Sequence, residues 1–254
     1  MNRKFYTNKN LSKLNRIKLN KEQTYKIRHV LRLTKGDIIE IFNNEIIAIA
    51  EIIIPKSDGC VVQIKEKRQI DITEPNLPSI HLFQSFPKNP KSELIVRSSV
   101  ALGVSSIRFW GSERSVIKVE QINEKKLERL IKIAVEESQI TFNPSPPNIF
   151  ILKDKDLEEI INEYHNKFDH IFYLDIHGQT LDGVSENIFI SGKNVAIFIG
   201  PEGGFSPKEK EIFHKYNIHA IKIYSNNLRV EEAISVFMSQ IWILNKINTK
   251  INHG

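Results

Sequence analysis

The chain of 254 residues contains a single cysteine, Cys60, and two methionines. One cysteine cannot form an intramolecular disulfide or a cysteine-rich zinc site, so disulfide scaffolds and zinc ribbons are excluded. No window approaches the ~18 apolar residues of a membrane-spanning helix, and the opening segment, MNRKFYTNKN, lacks the apolar centre of a secretory signal. We therefore expect a cytoplasmic protein without a metal site.

Glycine is also scarce, and its spacing argues against two nucleotide-binding motifs. No two glycines are separated by one residue, so the G-x-G-x-x-G fingerprint of nicotinamide-binding and Rossmann-type proteins is missing. The segment GQTLDGVS at 178–185 comes nearest to a phosphate-binding loop, but Val184 stands where that loop requires lysine. Neither motif therefore explains how this chain would hold a nucleotide.

Positive charge is concentrated at the front of the chain. Lysine and arginine number 36 against 30 acidic residues overall, and residues 1–72 carry 15 of the former against 8 of the latter. The first 35 residues contain eleven basic side chains and one acidic side chain, Glu22. This distribution is typical of a nucleic-acid-binding region, and the alternative is a solvated basic surface without a partner.

The hydrophobic pattern changes near residue 73. Apolar β-type runs occupy 38–65, whereas from residue 80 apolar strands alternate with amphipathic helices, a pattern typical of an α/β fold with a mainly parallel sheet. The segment TEPNLPS at 73–79 carries two prolines and is typical of a linker. We predict a basic, β-barrel-like RNA-binding domain over 1–72, a linker over 73–79 and an α/β domain over 80–254.

The segment 195–213, VAIFIGPEGGFSPKEKEIF, predicts a ligand site. Its first five residues form an unbroken apolar run, as expected for a central strand of a parallel sheet. The glycines at 200, 203 and 204 permit a sharp turn and close approach to a ligand. Ser206, Pro207 and Glu209 are placed as N-cap, first helical residue and capping-box partner, which predicts a helix from Pro207. Ligands bind at such strand tips in open parallel sheets.

Two further segments, 173–175 and 223–229, follow predicted strands in the same way. The motif IGPEGGFSPKE at 199–209, followed by L-R-x-E-x-A at 228–233, resembles the SPOUT, or trefoil-knot, RNA methyltransferases. Within that superfamily the chain is similar to the 16S ribosomal RNA uridine-N3 methyltransferases. Shorter matches support the resemblance: HVLRLTKGD at 29–37, FPKNPKSELI at 86–95, ALGV at 101–104 and SERS at 112–115.

The resemblance implies a C-terminal α/β trefoil-knot domain preceded by a small PUA-like β-barrel. It also implies S-adenosylmethionine as the cofactor and methylation of the N3 atom of a uridine in small-subunit ribosomal RNA. The residues that correspond to the family's cofactor-binding loops are Leu174, Ile199, Gly200, Pro201, Glu202, Gly203, Ile223, Asn227 and Leu228.

Arg229 and Glu231 match the arginine and glutamate of the family's L-R-x-E-x-A segment and are the candidate catalytic residues. The resemblance suggests that Arg229 stabilises negative charge on uracil or binds a phosphate, and that Glu231 orients the base. The alternative explanation of Glu231 is an acidic residue favoured at a helix N-terminus. The candidate RNA-binding residues, for each of which a solvated surface position is the alternative, are Arg3, Arg28, Arg32, Lys88, Lys91 and Arg114.

Several positions depart from the family pattern: Ala101, Phe142, Asn143, Tyr224, Ser225, Val230 and Glu232. They leave two alternatives open, a SPOUT enzyme acting on a ribose 2′-hydroxyl or a transfer RNA, and a catalytically weakened RNA-binding protein of ribosome assembly. For the main interpretation we expect a homodimer, because knot methyltransferases pair through their last helix. We expect its partner to be ribosomal RNA, most naturally within an assembled small subunit.

Overall fold

The computed structural model describes residues 3–56, 59–70, 77–88, 90–181 and 192–251. These residues form two compact units, one built from the residues before 73 together with 135–145, the other from the remainder. Four of the seven positions in the predicted 73–79 linker, and the GVS part of the segment at 178–185, lie outside the described residues.

The first unit contains a five-stranded sheet, one short helical segment and, in residues 135–141, the end of the helix Glu124–Thr141. Its strands are β1 (Lys4–Tyr6), β2 (Arg16–Lys18), β3 (Ile38–Phe42), β4 (Ile46–Lys56) and β5 (Gly59–Gln69), in the order β1-β3-β4-β5-β2. Only β1 and β3 run parallel, and the other neighbours are antiparallel. Helix α1 (Lys21–Tyr25) follows β2 and continues into a π-helical turn, Lys26–Val30.

The β-rich character of this unit agrees with the sequence, but the closed barrel is not seen. In the described residues, β1 pairs with β3 and β2 pairs with β5, and the two edge strands do not pair with each other. Each edge strand is only three residues long, which keeps the unpaired edges of the sheet short. Buried side chains of Phe5, Ile27 and Ile41 form part of the core beneath the open sheet.

The second unit contains a sheet of six strands, all parallel. These are β6 (Ser79–Ser85), β7 (Ser106–Trp110), β8 (Asn148–Leu152), β9 (His170–Thr180), β10 (Asn194–Ile199) and β11 (His219–Lys222), in the order β11-β9-β10-β6-β7-β8. The predicted α/β fold with a parallel sheet is confirmed. Strand β8 was not predicted from the sequence.

Helices cover both faces of this sheet. They are α2 (Lys91–Ala101), α3 (Glu124–Thr141), α4 (Leu157–Tyr164), α5 (Pro207–Lys215) and α6 (Val230–Ile251). Alternate residues of β10 explain the layers: Val195, Ile197 and Ile199 pack in the core shared with α2, α3 and α6, whereas Phe198 packs in the core shared with α4 and α5. Across the described ranges, no helix has both the length and the apolar character needed to cross a membrane.

The pairing of β9 with β11 is irregular, and the irregularity shapes one edge of the sheet. Tyr173 pairs with Ala220 and Gln179 with Ile221, so β9 advances six residues while β11 advances one. The residues of β9 between Tyr173 and Gln179 therefore lie outside the regular pairing with β11 and can face away from it. A Cβ atom on Gly178 would lie 2.6 Å from the carbonyl carbon of Ala220, so only glycine lets the two backbones approach this closely.

His81 lies in a hydrogen-bonded network at the amino ends of three parallel strands. The Arg108 guanidinium donates to the Ser106 hydroxyl, whose oxygen is 2.7 Å from His81 Nδ1. His81 Nε2 is 3.3 Å from Asn194 Oδ1. If the hydroxyl donates to Nδ1, the imidazole is neutral and carries its proton on Nε2. Burial lowers the pKa of His81, the Asn194 contact opposes this, and the nearby positive charge of Arg108 lowers it further.

We expect this half-buried imidazole to make the protein less stable in mild acid. Below the unfolded-state pKa of about 6.5, the unfolded chain binds a proton that folded His81 resists, so the free energy of unfolding falls as pH falls. Urea unfolding between about pH 7.5 and 5.5 should therefore show a shallower pH dependence for His81→Gln than for the unsubstituted chain. The exposed His219 provides the control, because His219→Gln should leave the slope unchanged. Equal slopes for all three proteins would contradict the prediction.

Candidate functional site

A cavity of about 400 Å³ opens at the carboxyl ends of β9, β10 and β11. It is bounded by three segments: the bulged part of β9, the glycine turn after β10 and the loop between β11 and α6. All nine residues predicted to bind the cofactor line it: Leu174, Ile199, Gly200, Pro201, Glu202, Gly203, Ile223, Asn227 and Leu228. The parallel sheet thus brings together three segments that are separated in sequence.

The glycine turn has the local geometry that its sequence predicts. Gly204 has a φ of +66°, and its N–H donates to the carbonyl of Pro201 at 2.9 Å, which closes the turn. A Cβ atom on Gly200 would lie 3.3 Å from the ring of Phe205, so glycine lets that ring pack tightly. The predicted capping box is confirmed: Glu209 N–H donates to Ser206 Oγ at 3.1 Å, and Ser206 N–H donates to Glu209 Oε2 at 2.8 Å.

Two side chains connect this turn to the loop after β7: that of Glu209, which lies in α5, and that of Arg114, which lies in the loop. Glu209 is 2% exposed, and its second oxygen accepts a hydrogen bond from Glu113 N–H at 3.0 Å. Arg114 Nη1 donates to the carbonyls of Gly203 at 3.0 Å and Phe205 at 3.3 Å. Arg114, predicted as an RNA-binding residue, therefore also lines the cavity and holds the backbone of the turn.

Lys91, also predicted to bind RNA, links the turn to helix α6. Its ammonium nitrogen lies 3.0 Å from Glu202 Oε1 and 3.3 Å from Glu231 Oε2. The hydrogen bond to Glu202 is the main reason that the pKa of Lys91 is raised, with a smaller contribution from Glu231 and opposition from burial. Burial alone would raise the pKa of Glu202, but its backbone hydrogen bonds and Lys91 outweigh burial and lower it.

The two candidate catalytic residues lie at the start of α6 beside the cavity. Leu228 and Val230 line the cavity, while Arg229 between them is exposed. Glu231 is in the first helical turn, 16% exposed, with its carboxylate against Lys91. The N-terminus of a helix carries a partial positive charge, which favours an acidic side chain in the first turn. The position of Glu231 therefore also agrees with its explanation as a helix-terminus residue.

Sequence reasoning missed the ion pair between Asp175 and Lys210, both of which line the cavity. Asp175 is 10% exposed, and its Oδ2 lies 2.5 Å from Lys210 Nζ. Burial alone would raise the pKa of Asp175, but Lys210 and the N–H of His177 outweigh it and lower the pKa. Asp175 directly follows Leu174 at a predicted strand end, a signal that could have identified it. Lys210 stands among several lysines of α5, and the sequence does not single it out.

The other predicted RNA-binding residues are distributed over both units. Lys88 is exposed, and its carbonyl accepts from Lys91 N–H at 3.0 Å, so it lies next to the Lys91 bridge. In the first unit, Arg3 is paired with Asp37 at 3.6 Å, Arg28 is half-buried, and Arg32 is exposed with a φ of +53°.

The residues of the cavity fit S-adenosylmethionine, the group implied by the resemblance. The volume of the cavity lies within the range of about 300–1,000 Å³ found for small-molecule sites. Apolar side chains of Ile199, Ile221 and Leu228 provide a wall for a flat base, while the backbone of the glycine turn provides donors and acceptors. The carboxylates of Asp175 and Glu202 suit the positively charged and hydroxyl-bearing parts of such a ligand.

A family model described as an RNA methyltransferase domain matches residues 73–242. A protein of Aquifex aeolicus, named ribosomal RNA small subunit methyltransferase E, is 30% identical over 189 residues, which cover 71% of this chain and 78% of that protein. A protein of the same name from Buchnera aphidicola is 30% identical over 233 residues, covering 89% and 90% of the two chains.

Solved structures share the fold over nearly the whole chain. A methyltransferase from Legionella pneumophila, described in complex with bound S-adenosylmethionine, superposes with a TM-score of 0.83 at 22% identity, covering 95% of this chain and 97% of that one. A ribosomal RNA small subunit methyltransferase E from Neisseria gonorrhoeae, also bound to S-adenosylmethionine, gives a TM-score of 0.78 at 19% identity with the same coverages.

We predict that Lys91→Met weakens the folded state by about 1–2 kcal/mol at neutral pH, because two carboxylates then face each other without a shared cation. The pKa of Glu202 is lowered in the folded chain, so its favourable contribution is present at neutral pH and lost as pH falls. The stability difference from the unsubstituted chain should therefore shrink as pH falls from about 7.5 towards 4.5.

The exposed neighbour Lys88 offers the matched control for this measurement by urea unfolding. Lys88→Met removes a positive charge three residues away and should change the free energy of unfolding by less than about 0.5 kcal/mol. The loss of unfolding free energy in Lys91→Met could equal that in Lys88→Met, or it could stay constant with pH. Either result would contradict a stabilising role of the Lys91 bridge.

Proposed function

Since the chain belongs to the RNA methyltransferase family, we propose that it transfers a methyl group from S-adenosylmethionine to the N3 atom of a specific uridine in 16S ribosomal RNA. The observation that carries the proposal is the single cavity formed by the three strand-end segments of a parallel sheet. The relatives named ribosomal RNA small subunit methyltransferase E support the substrate, and the two neighbours described with bound S-adenosylmethionine support the cofactor.

The bound cofactor supplies an electrophilic methyl group. This chain's residues therefore have to bind and orient the cofactor and the uridine, and assist the loss of one proton. The turn from Ile199 to Gly203 and the loop from Ile223 to Leu228 hold the cofactor through backbone groups and apolar contacts. Leu174 completes the wall on the β9 side. Arg114 and the capping box of Ser206 keep the turn in place, so little backbone ordering remains to be done on binding.

The N3 atom of uridine is protonated at neutral pH and is a poor nucleophile, so the site has to stabilise the uracil anion or assist proton loss. Arg229 is suited to the first task, because it is exposed at the cavity rim at the start of α6. Its guanidinium would stabilise negative charge on a uracil oxygen or bind the adjoining phosphate. Glu231, held by Lys91, would orient the base from the first turn of the same helix.

The RNA contacts are distributed in this proposal between a basic N-terminal domain, residues 1–72, and the methyltransferase domain that follows the 73–79 linker. Lys88 and Arg114 of the latter would contact phosphates around the target nucleotide, and Arg3, Arg28 and Arg32 would bind RNA through the N-terminal domain. Lys91 would contribute mainly by positioning, because its ammonium group already contacts two carboxylates. The setting that this substrate implies is the cytoplasm.

We extend the proposal to a trefoil knot and a homodimer. In the knot, the C-terminal strand and helix would thread through an earlier loop. The exposed apolar side chains of Tyr224, Trp242 and Ile243 support pairing through α6, because such a cluster is typical of an interface. Ile243 and Tyr224 also line a second cavity of about 390 Å³ beside this helix.

The intact IGPEGG turn, which lines the cofactor cavity, argues against a catalytically weakened RNA-binding protein. Among the departures from the family pattern, Ala101 ends α2, Asn143 caps a turn with Ser145, and Ser225 lines the second cavity. Two further departures, Tyr224 and Val230, do line the cofactor cavity. A different RNA target remains the alternative that the assay has to separate.

The test is methyl transfer from labelled S-adenosylmethionine to unmodified small ribosomal subunits, followed by mass spectrometry of the nucleosides. We expect N3-methyluridine as the product. A ribose-methylated nucleoside, or transfer to transfer RNA alone, would replace the proposed target. Absence of both transfer and cofactor binding would overturn the enzymatic assignment.

In the same assay Arg229→Ala should reduce turnover at least about a hundredfold while changing the cofactor dissociation constant less than about threefold. The reason is that Arg229 lies outside the described cavity lining but at the site of the proposed charge development. Lys208→Ala removes an exposed cation, 75% accessible, on α5 and should retain full turnover. Unchanged turnover in Arg229→Ala would remove the residue from the mechanism.

Light scattering after size-exclusion chromatography should give a mass twice the chain mass of 29.4 kDa at micromolar concentration. Ile243→Glu places a charge on the proposed interface and should shift the mass to that of one chain. Lys208→Glu, at an exposed position on α5, should remain dimeric. A single-chain mass for the unsubstituted protein would refute the homodimer.

A further inference from the structure

The side chain of Tyr25 is exposed and contacts one neighbouring ring. It is 62% accessible at the end of α1, and its ring lies 4.7 Å from that of His29, centroid to centroid, with 30° between the planes. The next apolar residue along the surface, Val30, is 50% accessible. An aromatic ring in this setting gains little from folding, so its exposed face is available for a flat ligand.

The backbone beneath this pair is anchored to the first unit's sheet. A capping box joins Asn20 and Gln23, and the Gln23 amide donates to the carbonyl of Tyr6 at 2.8 Å. The buried Thr24 hydroxyl accepts from Cys60 N–H at 3.0 Å. Tyr25 therefore projects from a segment fixed on both sides, so a ligand meets a preformed surface.

After Tyr25 the helix widens into the π-helical turn Lys26–Val30, closed by a hydrogen bond from Leu31 N–H to the Lys26 carbonyl at 2.8 Å. Such turns are rare and occur frequently at functional sites. The turn keeps His29 beside the Tyr25 ring. Arg32, directly beyond it, is exposed and has a φ of +53°, which is uncommon for arginine.

Cations surround the aromatic pair along the chain. Lys21 stands one helical turn before Tyr25, and Lys26, Arg28, Arg32 and Lys35 follow it. Among the first 35 residues Glu22 is the only acidic one. An exposed aromatic face framed by cations matches single-stranded nucleic acid, because phosphates require the cations and unpaired bases stack on the ring.

We propose that Tyr25 and His29 form a stacking platform for an unpaired base of the RNA substrate, with Lys21, Arg28 and Arg32 contacting the flanking phosphates. The proposal rests on the proposed function, because it takes RNA as the substrate, and it adds a base-binding site in the N-terminal unit.

The test measures binding of two fluorescein-labelled probes by anisotropy: a 15-nucleotide oligoadenylate, and an abasic 15-mer with the same ribose-phosphate backbone. Tyr25→Ala should weaken binding of the oligoadenylate about tenfold, the effect of losing one stacked base. It should leave binding of the abasic probe unchanged, because the phosphate contacts remain. Tyr25→Phe, which keeps the ring, should bind both probes within about twofold of the unsubstituted chain.

The salt dependence of probe binding distinguishes base stacking from phosphate contacts. Tyr25→Ala should keep the slope of log Kd against log salt, whereas Arg32→Ala should reduce it by about 0.7, the value for one phosphate contact on a single strand. Equal weakening of both probes by Tyr25→Ala, no weakening of either, or failure of the unsubstituted chain to bind the oligoadenylate would overturn the platform. The exposure of Tyr25 makes a folding defect easy to recognise, because the urea midpoint should not move.

Failure of the platform and failure of the proposed function give different results. Methyl transfer by the unsubstituted chain, together with unchanged oligoadenylate binding by Tyr25→Ala, refutes the platform alone. Ring-dependent oligoadenylate binding, with neither methyl transfer nor cofactor binding, supports the platform and overturns the enzymatic assignment alone.

Discussion

The geometry of the cavity depends on one buried carboxylate, that of Glu209. Its two oxygens accept hydrogen bonds from Ser206 N–H and Glu113 N–H, which joins the start of α5 to the loop after β7. A charge that is 2% exposed is tolerated because backbone donors and the N-terminus of α5 stabilise it. The glycine turn is thereby held at one end by β10 and at the other by this cap. Arg114, from the same loop as Glu113, then reaches the carbonyls of the turn.

The fold was predictable where local signals and burial agree. The apolar run of β10 and the Ser206-Pro207-Glu209 cap predict their elements closely, because each pattern has one dominant structural solution. Strands β1 and β2 were not predictable, since three residues carry no periodicity and exist only through pairing with β3 and β5. Strand β8 has an apolar sequence, but it follows a proline-rich segment, and its pairing with β7 is what makes it a strand.

In the site, the sequence predicts the placement of the backbone segments but not the pairing of the side chains. The grouping of the nine predicted cofactor residues around one cavity could be anticipated from the sequence, because strand ends of a parallel sheet meet at one edge and the family motifs mark them. The bridge from Lys91 to Glu202 and Glu231 could not, because it joins segments more than a hundred residues apart through side-chain reach. The bulge in β9 that turns Asp175 towards Lys210 depends equally on tertiary packing, through the close approach of Gly178 to β11.

These pairings determine which cation is available to an incoming nucleotide. Lys91 and Lys210 contact carboxylates, and Arg114 donates to two backbone carbonyls, so each contributes chiefly to the shape of the cavity. Within the part of the chain that the structure describes, the Arg229 guanidinium has no hydrogen bond or ion pair, and it is exposed beside the cavity rim. A positive charge that is not neutralised by the protein can respond to negative charge that develops on the substrate. The internal pairing of its neighbours is therefore the physical reason to assign Arg229, rather than any of the nearer lysines, to the uracil anion.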